Sequence, residues 1–230
     1  MCKNNIGFDM PDEIIKAVEK NELILFCGAG ISTESKTVLP TSFYMDILDL
    51  LNDDYNLNLD TSISFSELMS TFCNTVPNGR KHLIRKINDR FYRIQSFPEL
   101  YNSATRFHKE VSEIPQIKTI MTTNWDDYFE KECSATSIVD NKDTALWNTF
   151  NRRVFKIHGS INNIGSIVAT TNDYASCYEK LPNEPVGDRL KTLLGSNCVV
   201  FVGFSFGDED LNKLSIFFLK SWMFLLNSFI

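Results

Sequence analysis

His158 is the side chain in this sequence best suited to moving a proton near neutral pH. It lies in His158-Gly159-Ser160, directly after the apolar run Val154–Ile157, and the glycine leaves room beside the ring. A histidine so placed can accept a proton from water or from a sugar hydroxyl. A second segment, Thr123-Asn124-Trp125-Asp126-Asp127, sets an amide and a carboxylate close together. The amide can hold a water or hydroxyl without adding charge, and the carboxylate can stabilise a developing oxocarbenium ion. A third segment is Gly28-Ala29-Gly30-Ile31-Ser32. Its glycines let the backbone turn tightly and approach a pyrophosphate, which amide N–H groups can then bind. A fourth, Gly203-Phe204-Ser205-Phe206-Gly207-Asp208, offers small and hydroxyl-bearing residues suited to close approach by a ribose or phosphate.

Each segment also has a purely structural reading. Thr33 occupies the third glycine position of G-x-G-x-x-G, so the dehydrogenase fingerprint is not met and a plain tight turn would explain Gly28 and Gly30. Asn124 or Asp126 could cap a helix. The acidic run Asp208-Glu209-Asp210 could open one, where carboxylates complement the helix dipole. Most single histidines are structural, and His82 and His108, inside helix-period patterns, are read that way.

The elements around these segments give them a common setting. A helix is predicted over Asp12–Lys20, opened by Pro11 and rich in acids at its start. The run Glu22–Cys27, bounded by Gly28, reads as a buried parallel strand. A helix follows over about 41–52. Further strands are predicted at Ile117–Thr122, Val154–Ile157, Ile167–Ala169 and Cys198–Gly203, each followed by helical or turn material. That alternation predicts an α/β fold, a Rossmann-like parallel sheet with helices on both faces. Residues 53–115 differ: after a polar loop, helix-period spacing over 65–74, 79–92 and 99–114 predicts a smaller, mostly helical lobe. Ligands of such sheets bind at the carboxyl edge of the strands, where all four segments fall.

Composition narrows the function class. The chain has 230 residues, 43% hydrophobic and 23% charged, enough for one large domain with its own core. A net charge of −6 argues against a protein built to coat nucleic acid. Basic residues gather over Arg80–Arg93 with Asp89 among them, as on a solvated helix face. The six cysteines form no C-x-x-C pair, so zinc-ribbon spacing is absent and no metal is expected. Residues 1–22 carry charges throughout and resemble no signal peptide, which points to the cytoplasm. The segment Ser215–Ile230 is apolar but is interrupted by Lys220 and Asn227 and is too short to span a bilayer. It reads as a helix that docks on the sheet or on a partner, within an apolar C-terminal segment of about 212–230.

Taken together, the four segments resemble the sirtuin superfamily, in particular its bacterial sirtuin-like branch. Gly28-Ala29-Gly30-Ile31-Ser32 is similar to the family's G-A-G-x-S loop, Thr123-Asn124-Trp125-Asp126 to T-x-N-x-D, His158-Gly159 to the catalytic H-G, and Gly203-Phe204-Ser205 to the late G-x-S. Val168–Tyr174 and Phe204–Leu211 resemble the bacterial branch more than the protein deacylases. The resemblance implies a single NAD-binding unit over 1–230, with Gly28, Ala29, Gly30, Ile31, Ser32, Thr123, Gly203 and Ser205 holding NAD. It also implies that Asn124 and Asp126 face the nicotinamide ribose and that His158 is the base. The G-I-P-D-F-R segment and the four-cysteine zinc module of the deacylases are missing, which leaves acyl-lysine binding without its usual support. The implied activity is NAD+ hydrolysis to nicotinamide and ADP-ribose, as in effectors of anti-phage defence that act with a sensor, a partner or their own oligomer. The alternatives are a deacylase or ADP-ribosyl transferase using the same bond cleavage, and a binding module for NAD or ADP-ribose without turnover.

Overall fold

A computed structural model of the protein describes residues 9–32, 38–149 and 151–204. Its centre is a five-stranded, wholly parallel sheet in the order β3-β4-β2-β1-β5. The strands are β1 (Leu23–Cys27), β2 (Thr119–Thr122), β3 (Thr136–Ile138), β4 (Arg153–Lys156) and β5 (Cys198–Val202). Every residue of β1 and β2 is buried, as expected where helices cover both faces and side chains of either parity must be apolar.

The two faces separate by residue parity. Leu23, Leu25, Cys27, Ile120 and Val154 pack on one side against α1 (Asp12–Glu19), α6 (Arg106–Ser112) and α7 (Tyr128–Cys133). Ile24, Phe26, Met121, Ile138 and Phe155 pack on the other against Trp147, Leu181 and α9 (Pro185–Ser196). A further core joins α2 (Phe43–Tyr55), α3 (Phe65–Thr75), α4 (Gly79–Ser96) and α5 (Pro98–Ala104), and it also takes in Tyr128, Ile167 and Ala169. Local signals set these helices. Ser42 caps α2 by accepting from the Met45 amide, and Ser64 with Glu67 closes a capping box on α3. α8 (Thr171–Lys180) opens on a second capping box, made by Thr170 and Asp173.

The Rossmann-like α/β fold is as the alternating pattern predicts, with four differences in detail. Ile167–Ala169 is not a strand; it is buried because it threads against the helical core on its way to the Thr170 cap. Thr136–Ile138 is a strand that no apolar run announces. The expected helix over 99–114 is two helices, α5 and α6, meeting at Thr105, whose hydroxyl donates to the Tyr101 carbonyl. The basic face of α4 is only partly solvated. Arg80 reaches Asp173, and Arg90 is held by Asp46 and the Thr41 carbonyl. No described helix is long and apolar enough to cross a membrane. Ser205, Asp208 and the apolar segment 212–230 lie outside the described residues.

Candidate active site

The register of the sheet brings the four segments to one level. Val202, Cys27, Thr122 and Lys156 are paired across β5, β1, β2 and β4. The chain therefore leaves the sheet in step at Gly28, Thr123, Ile157 and Gly203. Asn124 and His158 each stand two residues beyond the Thr122–Lys156 pair, on adjacent strands. The strands that follow β1 in sequence lie on one side of it except β5, which lies on the other. The carboxyl edge around β1 is thus the crevice where open sheets of this class bind ligands.

The glycines of the first and last segments are required by each other. The Gly28 amide donates to Val202 and the Gly30 amide to the Gly203 carbonyl. Gly203 has φ +76, and a Cβ there would lie 2.8 Å from the Ile31 nitrogen. A Cβ on Gly28 would sit 2.7 Å from the Gly203 carbonyl oxygen. Backbone packs on backbone, so side chains are excluded from this part of the crevice floor.

Ser32, Asn124 and Asp126 form a buried cluster that ties the first segment to the second. The Ser32 hydroxyl donates to Asp126 Oδ2 at 2.9 Å. Asn124 Nδ2 donates to the Gly28 carbonyl at 3.1 Å and to Ser32 Oγ at 3.4 Å. The Asn124 backbone amide donates to Thr122 Oγ1, whose hydroxyl donates to the Cys27 carbonyl. The amide group is thereby fixed, and its Oδ1 is buried without a hydrogen-bond partner among the described residues. Asp126 Oδ1 accepts from the Tyr128 amide at the start of α7. Both carboxylate oxygens are therefore engaged; the N-cap of α7 is Asp127, so neither Asn124 nor Asp126 takes the expected capping position. Trp125, between them, packs its ring against Phe43 and Phe65 of the helical core.

His158 is buried and held from α8. Tyr174 and Tyr178, one helical turn apart, both face it: its ring centroid is 4.9 Å from that of Tyr174, and its Nε2 is 3.0 Å from the Tyr178 hydroxyl. The His158 carbonyl accepts from the Val168 amide. Gly159 has φ +84, and a Cβ there would lie 2.1 Å from the Ser166 carbonyl oxygen, so the turn after the histidine needs glycine. Arg80 bonds both Asp173 and the Ile167 carbonyl, and Ser70 bonds Thr171, so α8 rests on the helical lobe. Burial opposes ionisation of Asp173, but amide hydrogen bonds from Thr170 and Ala169 and the Arg80 guanidinium outweigh it and hold the carboxyl below its usual range.

Residues 118–221 match the protein family described as SIR2-like domain. Over 211 residues it is 30% identical to NAD(+) hydrolase ThsA of Acinetobacter baumannii (strain 532279), a match covering 89% of this chain and 41% of that protein. It is 28% identical over 210 residues to NAD(+) hydrolase ThsA of Cytobacillus dafuensis, covering 88% and 39%. A shorter match, 24% over 102 residues, is to Defense-associated sirtuin 2 of Bacillus subtilis, covering 41% of this chain and 10% of that protein. The chain thus spans about 40% of the length of the NAD(+) hydrolases it matches.

The matched SIR2-like domain region contains Thr123, Asn124, Asp126, His158, Gly203 and Ser205; the Gly28–Ser32 loop precedes it. Two buried basic side chains beside these residues escaped the sequence reading of function. Lys156, 2% exposed, donates to Glu130 Oε1 at 3.1 Å, to the Asp126 carbonyl, and to the Trp125 carbonyl at 3.4 Å. A lysine inside the apolar run Val154–Ile157 was its signal. His108, read as structural, is fully buried with Nε2 4.0 Å from Asp126 Oδ1. Burial pushes its pKa down, against the opposing pull of Asp126 and Glu132. Burial likewise pushes Glu130 up, against Lys156. Among the described residues no group of three or more His, Cys, Asp or Glu could hold a metal ion. A cavity of about 350 Å³ lies to one side, between the ends of β3 and β4 and the helices α8 and α9; Gly28–Ser32, Asn124 and His158 do not line it.

Proposed function

We propose that this SIR2-like domain hydrolyses NAD+ at the nicotinamide–ribose bond, as an effector of bacterial anti-phage defence. The observation that carries this reading is the fixed Asn124 amide. Its Nδ2 is committed to Gly28 and Ser32, while its Oδ1 is buried without a partner among the described residues. An acceptor so held suits a hydroxyl donor, either a water or a ribose hydroxyl. The names of the matched relatives, NAD(+) hydrolase ThsA, support the same substrate.

The roles follow from chemistry. The Gly28–Ser32 loop, with Gly203, offers close backbone approach to the pyrophosphate. The C1′–nitrogen bond breaks with its electron pair going to the nicotinamide ring, which leaves as a neutral base and needs no acid. Positive charge develops on the ribose, as in glycoside cleavage. Asp126, both of whose oxygens are engaged, acts there through its charge. Water held by Asn124 adds to C1′, and its proton passes to His158. The products are nicotinamide, ADP-ribose and one proton. Purified protein incubated with NAD+ should release nicotinamide and ADP-ribose on chromatography, while His158→Ala and Asn124→Ala, folded, should not. Turnover retained by either variant removes that residue's role, and intact NAD+ with tight binding by the wild type leaves two readings, a binding module or an effector awaiting its trigger.

We also propose that the protein works in the cytoplasm, where its described cysteines, all free, stay reduced. Its turnover is gated by self-association or by a separate partner. Support for the gate is the apolar run Ser215–Ile230, and unchanged sedimentation of a chain ending at Lys213 would discard it.

A further inference from the structure

We propose that Lys156 is a positioning residue that sets the Asn124–Asp126 loop from beneath, an inference that rests on the proposed NAD+ hydrolysis. The side chain of Lys156 has no exposed surface. An ammonium in such a place is costly unless its donors are matched. Three acceptors meet it: Glu130 Oε1 and the carbonyls of Trp125 and Asp126. The carbonyls are the informative ones. A counter-ion for Glu130 would need only the carboxylate, and a buried ion pair can often be replaced by apolar residues without loss of stability. Lys156 instead also binds the backbone directly after Asn124, where the chain turns from β2 into α7.

Its place in the sheet makes the contact consequential. Lys156 is paired with Thr122 and lies two residues before His158. The strand that ends in the proposed base therefore also holds the loop that carries the proposed water-orienting amide. Gly28 and Ser32 hold the Asn124 and Asp126 side chains from the β1 side, and Lys156 holds the Trp125 and Asp126 carbonyls from the β4 side. With the loop pinned from both neighbouring strands, the spacing between Asn124 and His158 is fixed by the sheet register. Glu130 Oε1 pairs with Lys156 Nζ at 3.1 Å; its second oxygen, Oε2, is buried without a partner among the described residues.

The test separates positioning from simple charge pairing. In the full chain, Lys156→Met alone leaves Glu130 unmatched and lowers the melting temperature, which either role predicts. The pairs Lys156→Met with Glu130→Leu, and Lys156→Gln with Glu130→Gln, remove the unmatched charge. Positioning predicts that at least one pair melts near the wild type yet loses about a hundredfold in kcat with little change in KM for NAD+, because a misplacement of about 1 Å costs that much. Amide hydrogen exchange over 124–128 should quicken in the same variant, while Glu130→Gln alone keeps both kcat and slow exchange. Recovery of stability and kcat together in a pair would overturn the proposal and leave Lys156 a counter-ion. If the wild type releases no nicotinamide, the protein is either a binding module or a hydrolase awaiting its trigger, and kcat gives no readout. Exchange then decides for Lys156, and unchanged exchange over 124–128 in the paired variants rejects it.

Discussion

Removing one oxygen atom, by Ser32→Ala, tests how the nucleotide loop is joined to the loop that carries Asn124. Ser32 is fully buried, and its hydroxyl donates to the Asp126 carboxylate at 2.9 Å. A hydrogen bond to a charged acceptor contributes about 1.5–3 kcal/mol, and here its loss leaves a buried carboxylate oxygen short of a donor. The Asn124 contact at 3.4 Å lies at the outer limit of a hydrogen bond and adds little. The volume lost is one oxygen, so no cavity penalty of note is added. The expected destabilisation is about 2 kcal/mol, which in a domain of this size lowers the melting temperature by roughly 4–8 °C. Asn124 keeps its bond to the Gly28 carbonyl, so the fold and the amide's place survive. Thermal unfolding followed by circular dichroism reads the first quantity, and nicotinamide release at varied NAD+ reads the effect on KM and kcat. A melting temperature within about 1 °C of the wild type would refute the tie between the two loops. A raised KM at unchanged stability would mean that the hydroxyl serves the dinucleotide instead.

Two further substitutions probe the histidines. Tyr178→Phe removes only the hydroxyl 3.0 Å from His158 Nε2; one net hydrogen bond of about 1 kcal/mol corresponds to a roughly fivefold fall in kcat, and steady-state rates equal to wild type would show that Tyr178 does not orient the ring. His108→Phe concerns pH. Burial sets the folded pKa of His108 below its unfolded value of about 6.5, so the unfolded chain binds the proton first. The stability due to neutral His108 is full above about pH 6.5 and declines as pH falls towards the folded value, by at most about 1.4 kcal/mol per pH unit. Urea unfolding between about pH 8 and about pH 5.5, either side of that value, should show a shallower decline in His108→Phe, and parallel curves would reject the assignment.

What could be read from the sequence was whatever burial alone dictates. β1, β2 and β4 lie in apolar runs because both faces of the central sheet are covered, β5 is an apolar run although its described residues are half-buried or exposed, and each points directly to the segment after it. β3 is three residues, Thr136-Ser137-Ile138, paired only with β4, so it needs no apolar run and shows none. Ile167–Ala169 misled in the opposite direction: its burial comes from the helical core, and nothing local distinguishes that from a sheet. The site divides the same way. Gly28, Asn124, His158 and Gly203 were visible because strand ends are where chemistry gathers. Lys156 and Tyr178 were not, because their meaning lies in partners distant in sequence, Trp125 with Asp126 for one and His158 for the other.

Those distant partners divide the crevice into two halves with different supports. Gly28, Gly30 and Gly203 are fixed by one another and by the β1–β5 ladder, and the Gly28 carbonyl also accepts from Asn124. The segments bearing Asn124 and His158 lean on the helical lobe. Trp125 inserts between Phe43 and Phe65, and α8, which carries Tyr174 and Tyr178, is anchored by Arg80 of α4 and Ser70 of α3. A displacement of the lobe would therefore bear on the segments of Asn124 and His158, opposed by the bonds from Gly28, Ser32 and Lys156 that hold the Asn124–Asp126 loop to the sheet. For the gated hydrolase proposed above, a trigger that acts on the helical lobe would change kcat before KM, and steady-state rates at varied NAD+ with the trigger present and absent would read the difference.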